Sequence, residues 1–205
     1  MRPLPARPNP LTGSPIDRAS HLRADAGWVA ARLRDPDTLF LPVWQTQNLV
    51  AETPAGAPQA VALTGEAAAA LTDIAPWVFL GLWHGRAAFA VDLPTPDLPD
   101  AALPALAHEA ARFAELRGVA PLMPPEEAAI LAHARGLLYW RARHRFCGIC
   151  GGATAPAEAG NRVDCTACRE SHFPRTDPAV IMLVVHQDAA LLAHARRFPN
   201  SRMYS

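Results

Sequence analysis

Short apolar runs bounded by turn residues dominate the first half of the chain and predict β-strands. These runs lie at residues 38–44, 48–51 and 60–63, each between Pro, Gly or polar positions. Two longer runs, 77–83 and 86–93, flank the dipeptide His84-Gly85. Because tight hairpin turns need a positive φ that glycine adopts readily, the two longer runs predict a β-hairpin.

Helical spacing of apolar residues appears in three further segments. A short helix is predicted near residues 26–33, a second over 105–116, and a long third helix from Glu126 to about His144. The third helix follows two prolines, begins with paired glutamates and ends in an arginine-rich turn, which suits both ends of the helix dipole. Its apolar stripe consists of Ile130, Leu131, Ala134, Leu137 and Leu138.

A last hairpin is predicted near the end of the sequence. Its strands are expected at 180–186 and 189–195, around the turn Gln187-Asp188. A proline-rich stretch over 94–104 closes the first group of strands. Together these elements predict an α+β protein.

The composition is that of a packed chain without a charge bias. Of 205 residues, 50% are apolar and 19% are charged, and 19 Lys+Arg balance 19 Asp+Glu. Neutrality argues against a general binder of nucleic acid or anionic membranes. All 19 cationic residues are arginine, which excludes lysine chemistry. Neither a signal peptide nor a membrane-spanning segment is recognisable, so a cytoplasmic protein without membrane contact is expected.

Four cysteines form two Cys-x-x-Cys pairs with fourteen residues between them. Two such pairs supply the sulfur tetrahedron that Zn²⁺ takes in closed structural sites. Two disulfides are disfavoured without an export signal, and a thioredoxin-like site would need only one pair. A zinc ribbon is therefore predicted, with a short hairpin between the pairs and no open metal position for catalysis. The predicted ligands are Cys147, Cys150, Cys165 and Cys168.

A zinc ribbon alone does not define a function. The arginine-rich run 141–145 admits two interpretations, a phosphate-facing patch or a solvated helix end, and the second is favoured. The histidines are scattered, and no dinucleotide-binding glycine motif, Walker loop or Gly-x-Ser-x-Gly motif occurs. The residues alone indicate a zinc-stapled α+β protein without a visible active site.

The order of motifs from residue 137 to 181 closely resembles the zinc-ribbon NADH pyrophosphatases of the Nudix superfamily. The sequence LLYW, then HRFCGICG, leads through CTAC to FPRTDPAVI. Residues 9–18 and 41–44 also look like the opening segment of that family, so the resemblance extends loosely over the whole chain.

The resemblance implies three successive parts. We expect a Nudix-like α+β domain over 1–125, a helix plus zinc ribbon over 126–173, and the first β-hairpin of a Nudix hydrolase domain over 174–205. The glutamate-rich Nudix box, which holds Mg²⁺ or Mn²⁺ on the substrate diphosphate in this family, does not occur in these residues. The sequence is therefore expected to be a fragment that contains no catalytic residues and is inactive by itself.

For an intact member, the resemblance implies hydrolysis of NADH or NAD to nicotinamide mononucleotide and AMP. Removal of an NAD cap from RNA and a homodimeric state are also implied. The implied substrate-binding residues are Arg117, Phe173 and Glu158. Phe173 stands where the family usually has tyrosine, and ungapped spacing places Gly160 rather than Glu158 opposite the family's ribbon carboxylate. The alternative that Arg117 and Phe173 merely pack or are solvated stays open.

A second hypothesis is a non-enzymatic zinc-ribbon module that binds nucleic acid or a protein partner. The neutral charge and the Nudix-like strand that follows Phe173 favour the enzyme, because a free ribbon would not need that strand.

Overall fold

The computed structural model describes residues 13–94, 111–178 and 182–194, and the single residues Leu11, Asp97, Leu106 and Val180. The chain divides into two compact units, Met1–Pro174 and Arg175–Ser205. Within the described ranges, no helix is long and apolar enough to cross a membrane.

The first unit combines helices with two β-sheets. Its helices with described bounds are α1 (Ala26–Arg34), α2 (Gly65–Ala69), α3 (Leu71–Ile74), α4 (Leu116–Val119) and α5 (Pro125–Arg143). Its strands are β1 (Leu39–Trp44), β2 (Gln47–Glu52), β3 (Pro58–Ala60), β4 (Trp77–Trp83), β5 (Arg86–Asp92), β6 (Ala111–Ala114), β7 (Thr154–Ala157), β8 (Arg162–Cys165) and β9 (Ser171–His172). Short 3₁₀ turns occupy Ser20–Leu22, Ala120–Leu122 and Glu158–Gly160.

The larger sheet has six strands. They follow the order β3-β2-β1-β5-β4, and β6 also pairs with β2. β1 and β5 run parallel at the centre, and the other pairs are antiparallel. The hairpin predicted around His84-Gly85 is confirmed, because β4 and β5 pair from Trp77↔Val91 to Trp83↔Arg86.

Alternate side chains of this sheet enter two separate cores, as the period-2 geometry of a strand requires. Leu39 and Leu41 of β1 belong to the core that α5 covers with residues such as Ile130. Phe40 lies between them in sequence and belongs to the opposite core, which contains α1, α2 and α3 side chains and Phe89 of β5. The fold is therefore a mixed sheet with helices on both faces, followed by a ribbon, as the predicted α+β class requires.

A bulge in β4 ties the N-terminal segment to the sheet. The register shifts between Phe79 and Gly81, and Asp17 exchanges backbone hydrogen bonds of 3.0 and 2.7 Å with Leu82. Gly81 has φ +141°, and a Cβ atom there would lie 2.1 Å from the Asp17 carbonyl oxygen. Only glycine permits this close approach, so the anchor depends on it.

The helix predicted over 105–116 is wrong in its second half. Leu106 is helical and residues 107–110 lie outside the described part of the chain, but Ala111–Ala114 is strand β6. β6 pairs with four residues of β2, and Phe113 packs against Trp44 with ring centroids 5.6 Å apart. β6 covers an edge of β2 that would otherwise be open and hydrogen-bonds its backbone groups. This tertiary pairing overrides the local helix propensity of residues 111–114.

Two further predictions differ in detail. The run 60–63 forms strand only up to Ala60, in β3, and Leu63 makes an isolated bridge to Phe40. The alanine-rich α2 and the four-residue α3 were not predicted, because each spans about one turn and is too short to show a helical period.

The ribbon forms the second sheet of the first unit. β7, β8 and β9 make a three-stranded antiparallel sheet, so the hairpin predicted between the cysteine pairs is present. The unit Arg175–Ser205 contains the hairpin of β10 (Val185–His186) and β11 (Ala189–Ala190). This hairpin is shorter than predicted. Every described residue of the unit is exposed, so no buried side-chain contacts support longer strands.

Candidate functional site

The two cysteine pairs converge on one point. Their four Sγ atoms all lie within 4.8 Å of one another. The Sγ atoms of Cys147 and Cys168 are 3.7 Å apart, and those of Cys150 and Cys165 are 3.5 Å apart. A tetrahedron with Zn–S bonds of about 2.3 Å has sulfur atoms roughly 3.8 Å apart. The cluster therefore fits a zinc ion held by all four predicted ligands.

The loops that carry the cysteines are shaped around the sulfur atoms. Backbone NH groups of Ile149, Gly152 and Cys168 donate to Cys147, Cys150 and Cys165, at 3.3 to 3.4 Å. A Cβ atom at Gly152 would lie 2.9 Å from the Ala167 side chain, 3.2 Å from Cys165 Sγ and 3.3 Å from Cys150 Sγ. The backbone donors, and the absence of a side chain at Gly152, let the two loops approach each other closely enough to hold a metal ion.

The thiol groups of the cluster influence one another's pKa values. Hydrogen bonds from the backbone of Cys150 and Ile149, and one with His172, lower the pKa of Cys147 to about 6. The Glu170 backbone lowers the pKa of Cys168, but the neighbouring sulfur atoms outweigh it and raise that pKa to about 12. Four adjacent thiolates repel one another, and a divalent ion removes that repulsion.

His172 is a neighbour of this centre that the sequence reasoning missed. Its Nε2 lies 3.3 Å from Cys147 Sγ. A ring NH that donates to a ligand sulfur orients that ligand, as outer-shell groups do in metal sites. The cysteine spacing could not reveal this contact, because His172 reaches the metal site through the pairing of β9 with β8. Four thiolates complete the tetrahedron, so the metal has a structural role.

The ribbon is locked to the larger sheet by the turn Glu158–Gly160 and the residue after it. Asn161 is 7% exposed and its side-chain amide donates to the Phe79 carbonyl at 2.8 Å, at the bulge of β4. A Cβ atom at Gly160 would lie 2.7 Å from Val78 Cγ1 and 3.0 Å from the Trp77 carbonyl oxygen. Backbone approach this close, with a buried amide beside it, defines a tight junction between ribbon and sheet.

Arg141 completes the junction from the α5 side. Its guanidinium donates to the Trp77 carbonyl. Burial lowers the pKa of Arg141, and burial also raises the pKa of Asp92, which faces it. The arginine-rich run 141–145 is therefore not a uniform solvated helix end, because its first arginine is only partly exposed and bonds the Trp77 carbonyl.

The three implied substrate-binding residues occupy different places. Glu158 lines a cavity of about 510 Å³ between α1, the start of β4 and the ribbon, and its carboxylate accepts from Arg162 at 2.6 Å. Arg117 lies at a second cavity of about 380 Å³ beside α5. The two cavities share no lining residue. Phe173 follows β9 and is 57% exposed.

Among the described residues, the four cysteines are the one group of three or more His, Cys, Asp or Glu side chains placed to hold a metal ion. The described residues thus supply no carboxylate set for Mg²⁺ or Mn²⁺.

His133 on α5 is a half-buried titratable residue. Arg18 shares a hydrogen bond with its Nε2. Burial, followed by the charges of Arg18 and Arg23, lowers the pKa of His133 to about 3. Neutral imidazole therefore accepts from the guanidinium, and protonation would place three cations together.

This arrangement predicts acid lability. The pKa of His133 in the folded state is below its ordinary value of 6.5. As the pH falls below about 6.5, the unfolded state therefore takes up a proton that the folded state does not, and the free energy of unfolding decreases. Between pH 7 and pH 5 wild type should lose about 2 kcal/mol more unfolding free energy than His133→Gln, whose amide oxygen can still accept from Arg18. Urea unfolding at both pH values measures the difference. The exposed His21→Gln is the control, and equal acid sensitivity of wild type and His133→Gln would contradict the assignment.

Comparison with known proteins matches these two structural parts. The family model described as NADH pyrophosphatase-like rudimentary NUDIX domain matches residues 37–140, and that of the NADH pyrophosphatase zinc ribbon domain matches residues 142–173. The two matches meet near the end of α5, where the chain passes from the sheet into the ribbon.

Similar proteins match different lengths of the chain. The NAD-capped RNA hydrolase NudC of Mycobacterium tuberculosis is 36% identical over 200 residues, which cover 92% of this chain and 56% of the relative. The NAD-capped RNA hydrolase NudC of Stutzerimonas stutzeri is 36% identical over 121 residues, which cover 58% of this chain and 40% of the relative. Nudix hydrolase 19 of Arabidopsis thaliana is 46% identical over 84 residues, which cover 39% of this chain and 19% of the relative. The chain thus spans between 19% and 56% of the length of these relatives.

Proposed function

The chain belongs to the NADH pyrophosphatase-like NUDIX family with its zinc ribbon, and from this membership we propose that the whole protein hydrolyses NADH or NAD to nicotinamide mononucleotide and AMP. It also removes the NAD cap from RNA. The observation that carries the proposal is the similarity over 92% of this chain to a mycobacterial NAD-capped RNA hydrolase. The sheet domain lies within the match to the first family model, and the ribbon with its four-cysteine centre lies within the match to the second.

In this proposal the described residues form a platform for substrate. Phe173 offers an exposed ring on which a base can stack. Glu158 contributes a carboxylate from the junction turn, held by Arg162, and Arg117 contributes a cation from the second cavity. Zinc fixes the ribbon that carries Phe173 and Glu158, so these two side chains keep a constant geometry.

The hydrolytic step belongs to the whole protein. Mg²⁺ or Mn²⁺ would neutralise charge on the diphosphate as water attacks phosphorus. The three-part organisation over 1–125, 126–173 and 174–205 is part of the same proposal. So are a homodimeric state and a cytoplasmic location.

The test is AMP release from NADH by the protein at its full natural length, with Mn²⁺ added. We expect turnover in wild type and a KM for NADH raised about tenfold in Phe173→Ala, since stacking on an aromatic ring contributes about 1–3 kcal/mol per base. Phe146→Ala is the matched control, because Phe146 is also an exposed ribbon phenylalanine, at 67%.

Two outcomes would contradict the proposal. An absence of AMP release together with salt-sensitive RNA binding would favour a non-enzymatic zinc-ribbon module. Equal KM values for Phe173→Ala and Phe146→Ala would remove Phe173 from the substrate site.

A further inference from the structure

A groove with cationic and aromatic walls runs along the outer face of α5. We call it the α5 groove and define it by Arg117, Arg135, Gly136, Tyr139 and Arg143. The first four line the cavity of about 380 Å³, and the Arg143 guanidinium lies over the Tyr139 ring at 5.4 Å from its centroid. Tyr139 is 52% exposed. An exposed ring thus lies between arginines on a chain whose net charge is zero.

The charge of the groove is largely uncompensated. Arg135 pairs with Glu115 at 2.8 Å. Arg117 and Arg143 are exposed and make no ion pair with a carboxylate within the described part of the chain. Outside the groove, some arginines are paired with a carboxylate, as Arg34 is with Asp73 at 2.8 Å. Among the described residues, the groove therefore holds two positive charges without a carboxylate partner, Arg117 and Arg143.

Gly136 adds open space to the groove. It lies inside α5, where glycine is less favourable than alanine. A Cβ atom there would meet no heavy atom within 4 Å, so packing does not require glycine. Positions 136 and 139 are neighbours on the helix surface. The missing side chain leaves open the space beside Tyr139, at a position where alanine would favour the helix.

We infer that the α5 groove binds the single-stranded RNA that follows an NAD cap. A base stacks against Tyr139 in the space beside Gly136, and flanking phosphates lie near Arg117 and Arg143. Single-stranded RNA fits these observations because sequence-independent binders combine stacking rings with cations along the backbone. This inference depends on the proposed function for its substrate. Arg117 belongs to both proposals, whereas Tyr139 and Arg143 would contact RNA beyond the cap and are not needed for free NADH.

Direct binding separates the inference from the activity. The probe is an uncapped, fluorescein-labelled RNA of twelve nucleotides, measured by anisotropy with the full-length protein and no added divalent ion. We expect Tyr139→Ala to weaken binding about tenfold, and Tyr139→Phe to retain it. Arg143→Gln should reduce the slope of log K against log salt by about 0.7, while Arg34→Gln leaves it unchanged.

Turnover gives the second readout. Tyr139→Ala should lower kcat/KM for NAD-capped RNA about tenfold and leave kcat/KM for NADH within about twofold of wild type. Gly136→Leu fills the groove and strengthens the helix, so it should weaken RNA binding while raising the midpoint of thermal unfolding.

Three results would overturn the inference. The first is RNA binding by Tyr139→Ala that equals wild type. The second is an equal loss of NADH and capped-RNA turnover. The third is a change of oligomeric mass in Tyr139→Ala with unchanged RNA affinity, which would make the face a subunit contact. Failure of wild type to hydrolyse NADH would contradict the proposed function but not the binding result, because the anisotropy probe carries no cap.

Discussion

Replacing Cys165 with serine is expected to abolish zinc binding and unfold the ribbon. Cys165 is 1% exposed, and its Sγ lies 3.5 Å from Cys150 Sγ at the centre of the cluster. Serine oxygen is a poor ligand for a sulfur site, so the metal would lose one of four bonds. Structural zinc contributes about 10–16 kcal/mol to the folding of small zinc domains, far more than the strands β7–β9 can supply alone.

Two measurements check this prediction. Bound zinc, by elemental analysis, should fall from about one ion per chain to near zero in Cys165→Ser. Amide hydrogen exchange should show lost protection over residues 144–173 and retained protection in β1 and β5, whose cores do not include the ribbon strands. A strong chelator should give the wild-type protein the same pattern.

The control is Gly148→Ala in the first cysteine pair. A Cβ atom at Gly148 would meet no heavy atom within 4 Å, so this variant should keep both zinc and protection. Full zinc content and full protection in Cys165→Ser would show that the four-cysteine cluster is not the metal site.

The zinc centre was predictable because its signal is local. Each pair places two sulfur atoms within four residues, and the spacing alone identifies all four ligands. The β4–β5 hairpin was predictable for a similar reason, since two apolar runs flank a turn dipeptide that can adopt positive φ. In both cases the deciding interactions join residues that are close in sequence.

The missed features depend on partners far away in the chain. Residues 111–114 have no local reason to be a strand, and they become β6 because β2 offers an open edge about sixty residues earlier in sequence, as the pair Leu49↔Phe113 shows. Asn161 follows the turn Glu158–Gly160, but its side-chain amide donates a hydrogen bond to the carbonyl of Phe79, 82 residues away. Half-buried His133 has its hydrogen-bond partner, Arg18, also far away in the chain. Sequence periodicity carries no information on such long-range pairs.

The junction between ribbon and sheet should be the second most sensitive place in the protein. Gly160 has φ +86°, and a Cβ atom would lie 2.7 Å from Val78 Cγ1 and 3.1 Å from the Arg141 guanidinium. Gly160→Ala therefore combines backbone strain with overpacking, and the free energy of unfolding should fall by about 2–4 kcal/mol. Asn161→Asp turns the amide donor that faces the Phe79 carbonyl into an acceptor and should cost about 1–3 kcal/mol.

Gly85→Ala separates strain from crowding. Gly85 has a similar φ of +77°, but a Cβ atom there would meet nothing within 4 Å, so its cost should be about 1 kcal/mol. In guanidinium titrations at constant zinc, wild type should unfold ribbon and sheet together, because the buried junction couples them. Gly160→Ala should split this into two transitions, one for the sheet domain and one for the ribbon. Equal costs for Gly160→Ala and Gly85→Ala, with a single transition in both, would show that Gly160 does not lock the ribbon to the sheet.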